Sequence, residues 1–334
     1  MSTPLDIDSL IASLDALSIQ SNNHITDLAN DRNLAVAAAA FNEAQCHKDL
    51  ENGSKVLSHN VAKLAVAANN RSREAPAALT EVSRSLLHIV TAVESIPTTL
   101  GATLRDDLRT TVSTLLQDVS ALAKTLHAGC VSTNAAHGSM SAAGTAGIVI
   151  RGCEILQGFA VSNQVAVCKR VAASLGLVED AIEEVEEMMS GEGGEDFGGG
   201  EAVEFTAVER ELVKDGFVIV KATRLLLKKA GKILGAPESA AVGLAGPDRI
   251  QALDELAQLA QECSHCVDDL AHCVDAPIRL LDFSAAASAV VAKSQAFLAV
   301  ANSIADTASG AWFDKIGENL GITLQKILAR NTVR

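Results

Sequence analysis

Five residues within a short span, Cys263, His265, Cys266, His272 and Cys273, carry side chains of the types that bind zinc. Helical register opposes that use. Leu253, Leu256, Leu259, Cys263, Cys266, Leu270 and Cys273 step by three or four residues without a break, so the cysteines continue a leucine stripe into a core. His265 and His272 lie a heptad apart and off that stripe. A phosphate cradle is the chemistry suggested by Gly191, Gly193, Gly194 and Gly198 to Gly200, but a P-loop continues into Lys-Ser or Lys-Thr. Here Glu192, Glu195, Asp196 and Glu201 would repel phosphate instead. Asp196-Phe197-Gly198 matches a kinase triplet, with no His-Arg-Asp loop to accompany it. The chain also lacks His-Glu-x-x-His, Gly-x-Ser-x-Gly and a dinucleotide fingerprint. No catalytic residue, cofactor or metal is therefore expected, and the protein reads as a non-enzyme.

Charge offers a second kind of chemistry, recognition. Eleven acidic residues lie between Glu179 and Glu204 with no Lys or Arg among them. Further on, Lys221, Arg224, Lys228 and Lys232 form a basic stripe. The acidic run can solvate the outer face of its helix, dock a basic partner, or fold back against the basic stripe. Exposed pairs of the last kind contribute only about 0 to 1 kcal/mol each. The candidate protein-binding residues are Glu183, Glu184, Glu186 and Glu187 on one side and Lys221, Arg224, Lys228 and Lys229 on the other.

The elements that must position these residues are helices. Leu104, Leu108, Val112, Leu115, Val119, Leu122 and Leu126 predict one core stripe, and Cys168, Val171, Leu175, Val178, Ile182, Val185 and Met189 another in heptad register. Ile7, Leu10, Ile11, Leu14 and Leu17 predict a short amphipathic first helix, and an Ala-rich helix over about 31–69 carries Gly53 as a possible break. Further helices are expected over 77–95, 99–127, 206–234, 246–275, 278–307 and 311–330. The resulting fold class is all-α: two antiparallel helical bundles, 1–189 and 205–334, joined by an acidic Gly-rich linker, 190–204.

Composition agrees with helices. Hydrophobic residues make up 48% of the 334 positions and aromatics 3%, so Ala, Leu, Val and Ile supply the core. The net charge of −14 excludes sequence-independent nucleic-acid binding, which needs cations against phosphates. The longest stretch without a charged residue, Thr125 to Ile150, holds His127, Asn134 and His137, so no membrane span is expected. Thr3, Pro4 and Asp6 read as a helix start rather than a signal peptide, and seven scattered cysteines fit a reducing compartment. Cytoplasm and nucleus are the expected locations.

Four segments carry a family resemblance: Thr103-Leu104-Arg105 opening a leucine-rich helix, Val178 to Met188 leading into the acidic segment, Glu211-Leu212 through Leu227-Lys228-Lys229, and Val267-Asp268-Asp269-Leu270-Ala271 with Pro277 after it. Their order, from about Leu34 to Ala299, resembles the cyclin-D-binding proteins, also called GCIP. The resemblance implies a talin-like or vinculin-like bundle fold, a D-type cyclin or signalling adaptor as partner, and restraint of cell-cycle progression. A helical scaffold for cytoskeletal or signalling partners is the alternative it leaves open. Arg279-Leu280-Leu281-Asp282-Phe283 also matches the short Arg-x-Leu peptides that cyclins dock, yet Leu280, Leu281 and Phe283 are expected to close the second bundle.

Overall fold

A computed structural model describes residues 41–70, 74–131, 141–190, 205–236, 246–275 and 277–331. Among these residues the protein is all-α, with nine α-helices and no strand. The helices are α1 (Glu43–Asn69), α2 (Ala75–Glu94), α3 (Ala102–Val131), α4 (Ala142–Gln157), α5 (Asn163–Ser190), α6 (Ala207–Leu234), α7 (Gly246–His272), α8 (Leu280–Ile304) and α9 (Thr307–Asn331). The amphipathic stretch 7–17 and the acidic segment 191–204 lie outside the described residues.

The chain divides into two compact units, Met1–Ser162 and Asn163–Arg334. This corrects the expected division at 190–204. Of the heptad stripe of α5, Val171, Val178, Ile182 and Val185 are buried, Cys168 and Leu175 are half-buried and Met189, expected in the core, is exposed. Helices α6 and α7 cover the buried part, so α5 belongs to the C-terminal unit.

In the N-terminal unit α1 to α4 pack in cyclic order, each against two neighbours. The pairing of α1 with α2 is antiparallel, since Cys46 meets the Ala92 carbonyl, Gly53 meets Ile89 and Asn60 donates to Ser85 Oγ at 3.1 Å. Gly53 does not interrupt α1. A β-carbon there would lie 2.9 Å from Ile89 Cγ1, so the glycine admits the neighbouring helix instead. Between α2 and α3 the chain makes a 3₁₀ turn, Thr98–Leu100, and reverses through Gly101, whose φ of +121° favours glycine.

The C-terminal unit is an up-and-down arrangement of five helices. Three contacts run α5 against α6 in opposite directions: Gln164 to the Leu234 carbonyl, Cys168 to the Gly231 carbonyl, and Glu186 to Lys221. Asn163 bonds Asp254, and Glu184 acts on His272, so α5 and α7 are parallel. Likewise Gly216 meets Phe283 and Thr223 meets Ser294, which makes α6 and α8 parallel, while Asp215–Arg330 sets α9 antiparallel to α6.

Local signals start these helices. Thr206 and Glu209 form a capping box at α6, and the other Glu209 oxygen accepts the Ile278 N–H at 2.9 Å, tying the start of α6 to the approach to α8. Asp306 accepts the Ser309 N–H, so α9 begins at Thr307 rather than near 311. One described helix, α8, is long and apolar enough to cross a bilayer. Its Phe283, Ala287, Val290, Val291 and Phe297 instead enter the core with α6, α7 and α9.

Candidate protein-binding surface

Burial accounts for the residues with chemical potential before any site does. Cys263 is fully buried, with Ser294 Oγ 4.0 Å away, and that hydroxyl lies 3.1 Å from Thr223 Oγ1. Thr223 also donates to the Ile219 carbonyl at 3.0 Å, so the hydroxyls sunk in this core have partners. Burial pushes the Cys263 thiol up to about 12, burial and then Glu154 push Cys153 to about 12, and burial pushes Cys46 to about 11. These thiols stay protonated at neutral pH and are poor nucleophiles. Cys266 and Cys273 are only half-buried, less sunk than the leucine stripe implied, and His265 and His272 are exposed. Among the described residues no group of three or more His, Cys, Asp or Glu side chains is placed to hold a metal ion.

The candidate recognition residues occupy more than one face. Glu186 of α5 reaches Lys221 of α6 at 3.3 Å, with both side chains about half exposed, 54% and 49%. Lys221 also lies over the Phe217 ring, 4.0 Å from its centroid. That pair brings the acidic and basic stripes together at one point. Glu183, Glu184 and Glu187 are exposed on the same helix, but Glu184 acts on His272 of α7, where Asp268 and Asp269 add further negative charge. His272 is consequently held above its ordinary pKa, first by the Asp268 carbonyl 2.8 Å from Nδ1, then by the Asp268 carboxylate, with Glu184 and Asp269 adding to it.

On α6, Lys228 is exposed and Arg224 and Lys229 are half-buried. Lys229 turns away from α5, because it acts on Asp306 at the start of α9. The eight candidates thus divide among an α5–α6 seam, an α5–α7 acidic face and an α6–α9 face. The Arg279 motif is split as well. Phe283 is fully buried and Leu280 half-buried, whereas Leu281, expected in the core, is 77% exposed. Arg279 pairs with Asp282 at 3.6 Å, one turn along its own helix.

Missed by sequence reasoning was a polar joint at the other end of the unit. Gln164 donates to the carbonyls of Leu234 and Ala236, at 2.8 and 2.9 Å, while its oxygen accepts from Arg249 at 2.9 Å. One side chain so caps the end of α6 and holds α7. Gln164 precedes the heptad stripe by four residues, a polar residue in a core register, and that mismatch was the available signal.

Two of the four resemblance segments lie on helices that span α1 to α5: Thr103-Leu104-Arg105 opens α3, and Val178 to Met188 forms the acidic end of α5. Residues 49–191 match the family model described as Grap2 and cyclin-D-interacting, N-terminal. The match begins inside α1, ends one residue past α5, and covers a little under half of the chain. The matched stretch therefore runs from within the first helix of the first unit through the first helix of the second. The segments Glu211 to Lys229 and Val267 to Ala271 fall beyond it. No curated protein matches the chain.

Proposed function

We propose that the protein is a non-enzymatic, protein-binding regulator that engages a D-type cyclin or a signalling adaptor and restrains cell-cycle progression, acting in cytoplasm and nucleus. The match of residues 49–191 to the cyclin-D-interacting family carries this reading. Its support in chemistry is that Glu183, Glu184, Glu186 and Glu187 of α5 and Lys221 and Lys228 of α6 are exposed, while the most buried thiols are held protonated in the core. A helix surface presenting carboxylates recognises partners through complementary charge, which sets encounter rate and specificity more than affinity. The test is co-precipitation of the full chain from cells with antibodies to D-type cyclins, scored beside the same chain with Glu183, Glu184, Glu186 and Glu187 changed to Lys. Recovery of the wild type with loss of the variant supports the reading. Absence of the wild-type chain from the cyclin precipitates, with expression intact, would reject it.

A further inference from the structure

An acidic protein would be expected to show an acidic surface, yet one face of the C-terminal unit is basic and apolar. Along the outside of α6, Lys214, Val218, Lys221, Leu225, Lys228 and Lys232 follow one another at spacings of three and four, and all are exposed. Val218 is 51% and Leu225 43% exposed, a heptad apart. α9 lies alongside, its register fixed by Arg330 on Asp215 at 2.6 Å. Counting back eight residues from Arg330, roughly two turns, puts Ile322 level with residue 223, between Val218 and Leu225 along the α6 axis. Ile322 is 50% exposed, with Lys326 one turn after it and Lys315 about two turns before it, both exposed, and one exposed carboxylate, Glu318, a turn before it. Among the described residues, Lys214 pairs with Glu211 at 2.7 Å and Lys221 with Glu186 at 3.3 Å.

We infer that the outer face of α6 and α9, with Val218, Leu225 and Ile322 framed by lysines, docks an acidic amphipathic helix of a partner protein. Two packed helices leave a crevice along their outer line, and a third helix fills it by ridges and grooves. The heptad spacing of Val218 and Leu225 asks for two apolar side chains seven residues apart on the ligand, with Asp or Glu on both flanks. Charge range favours a single helix over an anionic membrane. Exposed charges act over about 8 Å at physiological ionic strength. A docked helix is therefore governed by these lysines, whereas an extended lipid surface faces the net charge of −14 as well. A second copy presenting the same face would set lysine against lysine.

This rests on the protein-binding reading but not on the partner being a cyclin. The probe is a fluorescein-labelled 16-residue designed helix with leucines a heptad apart on one face and glutamates on the flanks, titrated with the full chain by anisotropy. Saturable binding that weakens as salt rises is expected. Leu225→Asp and Ile322→Asp should each weaken it about tenfold or more, as for a central anchor. Val66→Asp, at a residue 62% exposed on α1, should leave it unchanged. Circular dichroism of each variant checks that it remains folded. Equal binding of a probe with glutamine in place of glutamate, or insensitivity to both Leu225→Asp and Ile322→Asp, would overturn the proposal. So would Leu225-dependent sedimentation with phosphatidylserine vesicles in place of peptide binding, which would make the face a membrane surface, or Leu225-dependent dimerisation. Because the probe contains no cyclin, loss of cyclin binding with retained peptide binding rejects only the cyclin reading, and the converse result rejects only this one.

Discussion

The ring of Phe283 rests on the bare backbone of Gly216, where an added β-carbon would stand 2.5 Å from Cζ. Phe283 is fully buried and opens α8, so this approach sets how closely α8 can lie beside α6. Gly216→Ala should destabilise the C-terminal unit by about 1–3 kcal/mol through overpacking, outweighing the gain of up to about 1 kcal/mol from replacing a mid-helix glycine. Chemical denaturation measures it. Phe283→Leu in the same chain should relieve part of the loss. Gly176 is the control: nothing lies within 4 Å of its added β-carbon, so Gly176→Ala should stabilise by about 0.5–1 kcal/mol.

Gln164 is expected to be as sensitive as an apolar core residue. Gln164→Leu keeps the volume but strips two bonds from the carbonyls that end α6 and one from Arg249. Unsatisfied buried groups cost about 1–3 kcal/mol, so the midpoint of denaturation should fall, and hydrogen exchange should quicken first at residues near 230–236.

The cysteines should label in order of burial. Cys153 and Cys263, with thiols pushed up to about 12, and Cys46, at about 11, should resist iodoacetamide at pH 8 in the native protein. Half-buried Cys266 and Cys273 should label ahead of Cys263, as read by mass spectrometry of the digested protein. Rapid labelling of Cys263 in a fully folded sample would contradict the packing of α7 against α8.

His272 supplies a pH prediction with a definite sign. Its folded pKa is raised, so its contribution to stability is present below the ordinary imidazole value and fades as pH rises through the folded one. Imidazole NMR should find it titrating above a free histidine. Asp268→Asn should lower that midpoint but not abolish the shift, since the Asp268 carbonyl is the largest cause and survives the change.

The core stripes were readable in the sequence because a single helix records its own buried face. Leu104, Leu108, Val112, Leu115, Val119, Leu122 and Leu126 are all buried, and Cys263 continues the stripe of α7 as its register required. What the register cannot record is which helix does the covering. The heptads of α5 showed a buried face, but only the three-dimensional pairing with α6 and α7 assigns α5 to the C-terminal unit. The same gap explains Leu281, apolar by type yet on the outer side of α8. The candidate recognition residues were legible as charged stripes on two helices. Their arrangement was not, because helix rotation sends Lys221 toward Glu186 and Lys229 toward Asp306.

The most direct test of the account is the affinity of the purified full chain for a purified D-type cyclin, measured by calorimetry at two salt concentrations. The account requires saturable binding that weakens with salt and falls about tenfold or more when Glu183, Glu184, Glu186 and Glu187 become Lys, with the helical signal intact. A folded wild-type chain that releases no heat and shows no binding at tens of micromolar cyclin would contradict it.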